Sequence, residues 1–433
     1  MPAGQVGYHL HGLREWRDAF GRATIKGADA FVSTTTTHGE GSLAASAPPN
    51  VREVYLDYAA ATPVAPEVLA SMTPYLCERF FNPSAPYSVA RGIRSDLEGA
   101  RARLGRALGS RAGNVTLTAG ATEANNLAFA AVEGHVVTDA IEHESVLACV
   151  EGRGGTVVGV DSHGLVDPED LRRAIRPTTE LVSVSLANGE IGTVQPMRAI
   201  ARVVREERMR RLERGDQRPL LLHADASQAV GYLSVNTSTL GVDLMTLSAA
   251  KVYGPKQVGA LWHADGVALR PLVLGGGQEG GLRSGTENVA GAIGMACAVE
   301  LAERMRQIEV RRLRGLSRLV REHLSSKMPD VVFSGPTRDK DRLPGLVHAC
   351  FPGVEARRLV IALERRGVYV GTGSACAASR MRVSHVLRAI GLPDEVAAGS
   401  LRLTMGRSTS EDDVVYACEA LVACVRAERD RLT

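Results

Sequence analysis

The stretch NVTLTAGATEANNLAFAAV, residues 114–132, changes its periodicity half-way along. A short apolar run with β-branched residues gives way to a small-residue turn, and the turn to an alanine-rich, helix-forming segment. The same order returns in HVVTDAIEHESVLACV (135–150), ELVSVSLANGEIGT (180–193), PLLLHADASQAV (219–230) and VDLMTLSAAKVYGPKQVGALWH (242–263). Strands alternating with helices predict an α/β fold with a mainly parallel sheet, and nearly continuous apolar strands suit burial on both faces. In such sheets ligands bind beyond the C-terminal strand ends. That edge collects Thr122, His143, Asn188, Asp225, Gln228, Ser248 and Lys251.

The flanking regions read differently. Residues 1–50 include STTTTHGEGSLAASAPPN, which has little capacity to bury surface and predicts a flexible N-terminal extension. LHGLREWRDAF (10–20) can form a short amphipathic helix, and Glu15, Asp18 and Asp29 argue against a targeting peptide. Residues 51–305 are expected to form a large domain. From 306 the run RQIEVRRLRGLSRLVREHL predicts a long amphipathic helix opening a smaller α+β domain, 306–433, on which the first residues of the large domain can pack. That smaller part carries VGTGSACAAS (370–379), where Cys376 is either a buried core thiol or a nucleophile on a mobile loop.

Composition narrows the function classes. The 433-residue chain is 45% apolar, and its 51 basic and 48 acidic residues leave a formal charge of +3. No global field calls for nucleic acid or a membrane surface. The seven cysteines (77, 149, 297, 350, 376, 418 and 424) form no CxxC pair, which argues against a disulfide framework or a metal cluster. A reducing cytoplasm is the expected compartment. No apolar run approaches the ~18 residues of a membrane span.

Several residues at the predicted edge carry usable chemistry. Lys251 follows the buried run LMTLSAA and precedes the turn signal YGP; partial desolvation makes such an amine a nucleophile toward an aldehyde cofactor. The alternative is a lysine that snorkels to solvent. Asp225 can keep a pyridine nitrogen protonated or simply cap a helix, and Gln228 can donate to a ring oxygen or complete a capping box. Backbone amides around Ala121, with the Thr122 hydroxyl, suit a phosphate at a helix start. His143 can stack on a planar cofactor and move protons, or serve as a cap. Arg402 in SLRLTMGR can clamp a carboxylate. LVLGGGQEGGLRSGTEN (272–288) is a second glycine-rich loop without the Walker lysine pattern, ending near Ser284, Gly285 and Thr286.

Taken together, VYLDYAAATPVAPEVL (54–69), FNPS, TAGATEANN, IEHESVL, ANGEIGTVQP, HADASQAVG, SAAKVYGPKQVGAL, GGGQEGGLRSGTEN, GTGSACAASR and SLRLTMGRSTSEDD resemble the cysteine desulfurases over roughly residues 54–425. These are fold-type I pyridoxal-phosphate enzymes, grouped with the class V aminotransferases. The resemblance implies a large domain with a mainly parallel seven-stranded sheet flanked by helices, and pyridoxal 5'-phosphate as cofactor. It implies Lys251 as the Schiff-base lysine, Asp225 against the ring nitrogen, Gln228 at the ring oxygen and His143 stacked on the ring. Phosphate contacts would come from Ala121, Thr122, Ser248 and, across a homodimer interface, Thr286. Arg402 would hold the carboxylate of L-cysteine, and Cys376 would take the sulfur as a persulfide, leaving alanine. An acceptor or scaffold protein would dock near the Cys376 loop; no metal, membrane or direct nucleic-acid contact is implied. Acceptors of that sulfur include iron–sulfur assembly, thiolated RNA, sulfur metabolites and DNA phosphorothioation.

Four positions depart from the family pattern. Ala250 stands where a phosphate-contacting histidine is usual, Gly189 where an asparagine is, Gly280 where an arginine is, and Tyr87 where a histidine is. Asn188 is the candidate substitute for the amide missing at 189. A related lyase acting on selenocysteine or another cysteine derivative, and a non-catalytic scaffold with a decayed site, remain alternatives.

Overall fold

A computed structural model describes residues 52–373 and 384–432. The N-terminal extension and Cys376 lie outside the described residues.

The strands, in chain order, begin with β1 (Val54–Leu56). A seven-stranded sheet follows from β2 (Val115–Thr118), β3 (His135–Asp139), β4 (Thr156–Val158), β5 (Thr179–Ser183), β6 (Leu221–Asp225), β7 (Leu244–Ser248) and β8 (Gly259–His263), in the spatial order 2-8-7-6-5-3-4. Strands 4, 3, 5, 6 and 7 are mutually parallel, and β8 runs antiparallel to both β7 and β2. β2 therefore points the same way as β7, and the C-terminal ends of six strands share one edge.

Alternate residues along these strands enter two cores. Val136, Leu181, Leu244 and Leu261 pack with the helices Ala121–Ala130 and Glu144–Glu151 on one face. Val137, Val182, Met245, Ala260 and Trp262 pack on the other face with the helices Ser88–Ala107, Met197–Glu213 and the first half of Val289–Lys327. A sheet covered on both sides leaves its chain ends as the place for polar groups.

A third core gathers β1, β9 (Val332–Phe333), β10 (Leu346–Cys350), β11 (Val368–Val370) and β12 (Ser400–Thr404) with the helices Ala356–Glu364 and Glu411–Leu432. β12, β10 and β9 form an antiparallel sheet, while β1 pairs in parallel with β11. The helix expected from residue 306 starts earlier: Val289–Lys327 is one uninterrupted 39-residue helix. Residues 289–302 bury their apolar side in the first core, and Leu313, Leu316, Val320 and Leu324 bury theirs in the third. The change of composition near 305 marks a change of packing partner within one helix.

The glycine-rich loop 272–288 is anchored. Glu279, at φ +51°, accepts from Arg101 Nη1 at 2.6 Å, Arg101 Nη2 at 2.9 Å and the Leu117 amide at 2.8 Å.

Backbone proximity sets the start of the helix Ala121–Ala130. A Cβ built on Gly259 falls 2.5 Å from the Gly120 carbonyl carbon and 2.8 Å from the Leu247 carbonyl oxygen. Both are backbone atoms, so nothing flexible can give way. Gly259→Ala is expected to lower stability by ~1–3 kcal/mol, read as a fall in Tm, because the extra methyl must separate β8 from the Gly120 turn.

Candidate active site

A cavity of about 710 Å³ opens at the C-terminal edge of the central sheet. Its walls come from the turns after β2, β3 and β5 and from the ends of β6 and β7, closed by Arg402 and His385. Ala121, Thr122, His143, Asn188, Asp225, Gln228, Ser248, Lys251 and Arg402 all line it. Thr286 does not; within this chain it lines a neighbouring cavity of about 260 Å³, which shares Ala119 and Gln257 with the first.

Lys251 ends the short 3-10 turn Ala249–Lys251 that follows β7. Its Nζ donates to the Ala59 carbonyl at 2.7 Å and the Ala60 carbonyl at 2.6 Å. The segment after β1 thus holds the amine at the cavity. Thr62 reinforces the contact: its amide donates to the Ala250 carbonyl at 3.0 Å and its Oγ1 accepts from the Tyr253 amide at 2.8 Å. Tyr253 (φ +62°) and Gln257 (φ +58°) keep left-handed backbone on the same loop, and such strain concentrates at functional sites.

Asp225 is 7% exposed at the end of β6. Its Oδ1 accepts from the Ser227 amide at 2.8 Å and its Oδ2 from Asn125 Nδ2 at 2.9 Å. No helix follows, so the capping alternative reduces to a tight turn. Gln228 completes no capping box: its Nε2 donates to the Ala59 carbonyl at 3.1 Å.

His143 is a cap that also faces the cavity. It is the N-cap of the helix Glu144–Glu151, its Nδ1 accepting from the Ser145 amide at 3.1 Å, and it also forms cavity wall. Across the cavity, Gly120 takes φ +144° before the helix Ala121–Ala130, a backbone state that side chains resist. The helix start leaves amides without intrahelical partners.

Asn188 is committed elsewhere than its neighbours. Its Nδ2 donates to the Ile141 carbonyl at 2.8 Å, while its Oδ1 accepts from the Glu190 and Ile191 amides at 2.8 and 2.9 Å. The amide fastens a turn instead of reaching outward. Gly189 leaves room for Gln228: a Cβ there would lie 2.8 Å from Gln228 Nε2, and that side chain would have to shift.

Arg402 lies in the middle of β12, opposite His348 on β10, and is 4% exposed. Nη2 pairs with Asp57 Oδ1 at 2.7 Å, Nη1 donates to the Gly189 carbonyl at 3.1 Å, and the buried Nε donates to no described acceptor. Burial pushes the His348 imidazole down to about 3, helped by Arg402 and Arg321. It therefore adds no charge behind the guanidinium at neutral pH.

Several residues of this site carry no signal in the sequence reading. Asn125 and Ser145 link Asp225 to His143. Glu142, fully buried, accepts from Ser185 Oγ at 2.9 Å. His385 donates from Nε2 to the Glu142 carbonyl at 3.0 Å, on a short helix packed against Ile141 and Ile191. Glu142 adjoins His143, and position alone was a usable hint; His385 is brought to the cavity by the tertiary fold. Among the described residues, no group of three His, Cys, Asp or Glu side chains is placed to hold a metal ion, and no helix is long and apolar enough to cross a membrane.

Comparisons with known proteins give the family. The sequence pattern of the family Aminotransferase class-V matches residues 54–416. The chain belongs to the class-V aminotransferase family. Among members similar to it, the cysteine desulfurase IscS of Dictyoglomus turgidum is 40% identical over 382 residues, covering 86% of this chain and 94% of the relative. Of solved structures, a NifS-like protein superposes with a TM-score of 0.79 at 30% identity, covering 87% of this chain and 100% of that one. SspA in complex with cysteine gives a TM-score of 0.67 at 32% identity, covering 81% and 98%. The class-V fold expected from the sequence is the one observed.

Behind the wall lies a pH-sensitive group. Burial raises the Asp139 carboxyl from 3.8 to about 7; Oδ1 accepts from the Ile141 amide at 2.9 Å and Oδ2 from nothing described. A raised acid stabilises the fold fully below pH 3.8 and loses that contribution as pH rises through 7. His223, pushed down to about 4 by burial against the pull of Asp225, has the opposite sign and is common to wild type and variant. Asp139→Asn is neutral throughout. Urea denaturation is expected to move in the variant's favour by ~3 kcal/mol between pH 4.5 and pH 8; a pH-independent difference would contradict this.

Proposed function

We propose that the chain is a pyridoxal-phosphate-dependent cysteine desulfurase. The observation that carries the reading is the convergence of Lys251, Asp225, His143 and Arg402 on one cavity of about 710 Å³. A pocket of that size falls in the range for a cofactor with a small substrate.

The residues present fit pyridoxal phosphate. Lys251 brings a primary amine, the group that joins an aldehyde. Asp225, oriented by two hydrogen bonds, supplies a carboxylate for a protonated ring nitrogen. The helix start at Ala121, with Thr122 and Ser248, offers donors for a phosphate, and an added Cβ at Gly120 meets no atom within 4 Å. Gln228 serves the ring oxygen and His143 the ring face. Bound there, the cofactor supplies an electron sink that loosens bonds around the substrate α- and β-carbons.

The protein's own groups then determine the substrate. Arg402 presents a buried guanidinium fork to the α-carboxylate of L-cysteine, with Asp57 and the Gly189 carbonyl fixing its plane. The Cys376 thiolate takes the substrate sulfur: the carbon–sulfur bond breaks, a sulfur–sulfur bond forms, and L-cysteine plus the Cys376 thiol become L-alanine plus a persulfide. An acceptor protein docking near that loop removes the sulfur, and iron–sulfur assembly is the route favoured by the IscS relatives. A reducing cytoplasm keeps the thiol available.

We also read the chain as a homodimer of two-domain subunits, 51–305 and 306–433, sharing the long helix. Leu76, Phe80, Tyr87 and Leu274 are 59%, 66%, 51% and 80% exposed, large apolar side chains that a second copy could cover. A second copy would bring its Thr286 to this cavity.

The test is intact-mass spectrometry after incubation with pyridoxal phosphate and L-cysteine. Wild type is expected to gain the mass of one sulfur at Cys376, and Cys376→Ala none. Lys251→Ala is expected to abolish alanine formation, and Arg402→Lys, which keeps charge but loses the fork, to raise the KM for cysteine about tenfold. Cofactor uptake without sulfur on Cys376 would overturn the desulfurase reading.

A further inference from the structure

The wall of the cavity contains a buried hydrogen-bond chain that joins two of its functional groups. Asn125 Nδ2 lies 2.9 Å from Asp225 Oδ2 and 2.8 Å from Ser145 Oγ. Ser145 Oγ lies 2.8 Å from His143 Nδ1, and the Ser145 amide 3.1 Å from the same nitrogen. Asn125 is fully buried and Ser145 is 9% exposed, so solvent offers the chain few competing partners.

The donors and acceptors follow from the two fixed members of the chain, the Asp225 carboxylate and the Ser145 amide. Asp225 needs a donor from Asn125, which places the amide nitrogen, not its oxygen, between Asp225 and Ser145. Both Asn125 N–H groups are then used. Ser145 Oγ accepts one of them, and its own proton is left for His143. The Ser145 amide can only donate. His143 Nδ1 therefore faces two donors that share its one lone pair, which puts the proton of the neutral ring on Nε2.

We propose that Ser145 and Asn125 are positioning residues that tie His143 to Asp225 and hold the imidazole as its Nε2–H tautomer. His143 then enters the reaction as a donor and as a ring face, with Nδ1 already occupied, and it does not withdraw a proton from substrate through that nitrogen. The assignment deepens, and rests on, the reading of the cavity as a pyridoxal-phosphate site. The carboxylate meant for the ring nitrogen and the imidazole meant for the ring face are set by one network.

The test is nitrogen NMR of the full chain carrying ¹⁵N-histidine and loaded with pyridoxal phosphate, with His143 identified by its loss in His143→Gln. Wild type is expected to show a protonated Nε2 and a bare, hydrogen-bonded Nδ1. Ser145→Ala should move the Nδ1 resonance toward that of an unbonded ring nitrogen, and Ser145→Thr should restore it. Asn125→Ala should move it in the same direction, and the double variant no further than Ser145→Ala alone. Cofactor affinity should fall about 2–10-fold in Ser145→Ala. A protonated Nδ1 in wild type, or an Nδ1 resonance unmoved in a folded Ser145→Ala protein, overturns the inference. Failure of wild type to take up pyridoxal phosphate overturns the functional reading instead, and the His143 spectrum of that protein still decides the network.

Discussion

The structure depends on a sheet with no free face. Every residue of β7 is buried, and β5, β6 and β8 each have one position at most that is even partly open. Burying a polar group without a partner costs roughly 1–3 kcal/mol, so a chain built on such strands can show functional groups to solvent only where strands end. Asp225, Ser248 and Lys251 sit at those ends for that reason. The same constraint acts on the titratable groups behind them. Burial lowers the His223 imidazole and raises the Asp139 and Glu142 carboxyls, in each case against the charged form.

Much of this was legible from local pattern. Strand runs and turn residues locate the edge, and the candidate side chains on it converge because parallel strands must send their C-terminal ends the same way. What escaped the reading depends on contacts between distant residues. Asn125 meets Asp225 across 100 positions, and nothing in TAGATEANN distinguishes its first asparagine from its second. The second, Asn126, is half out of the wall and bonds back to the Thr122 carbonyl. Asn188 shows the opposite limit. An asparagine in a turn reads as available, yet its amide is spent on three backbone partners. The unbroken helix through residue 305 escaped for another reason: composition reports which core a helix face meets, and one helix can meet two.

The site is also assembled from both sides of that helix. Lys251 is flanked by Ala249 and Val252 of the first core and Arg402 by Leu401 and Leu403 of the third, so their separation is set by packing between cores and not by either strand alone. The link between them is the segment that leaves β1. Asp57 pairs with Arg402, the Ala59 carbonyl accepts from both Gln228 and Lys251, and the Ala60 carbonyl accepts from Lys251. Three residues of the motif LDYAAAT, Asp57, Ala59 and Ala60, therefore orient a guanidinium, an amide and an amine at once.

That arrangement has an electrostatic consequence. Arg402 and Asp57 form a nearly neutral pair at 2.7 Å, with side chains 5% and 21% exposed. An isolated guanidinium buried to that degree would be expensive, and the pairing offsets much of the desolvation before any ligand arrives. A substrate carboxylate therefore meets a cation already held in plane, and little side-chain entropy remains to be lost on binding. The partner is drawn from the same segment that holds Lys251, so a shift of β1 would move both ends of the site together. Registry between amine and guanidinium is thus carried by one carboxylate and two backbone carbonyls of a single segment.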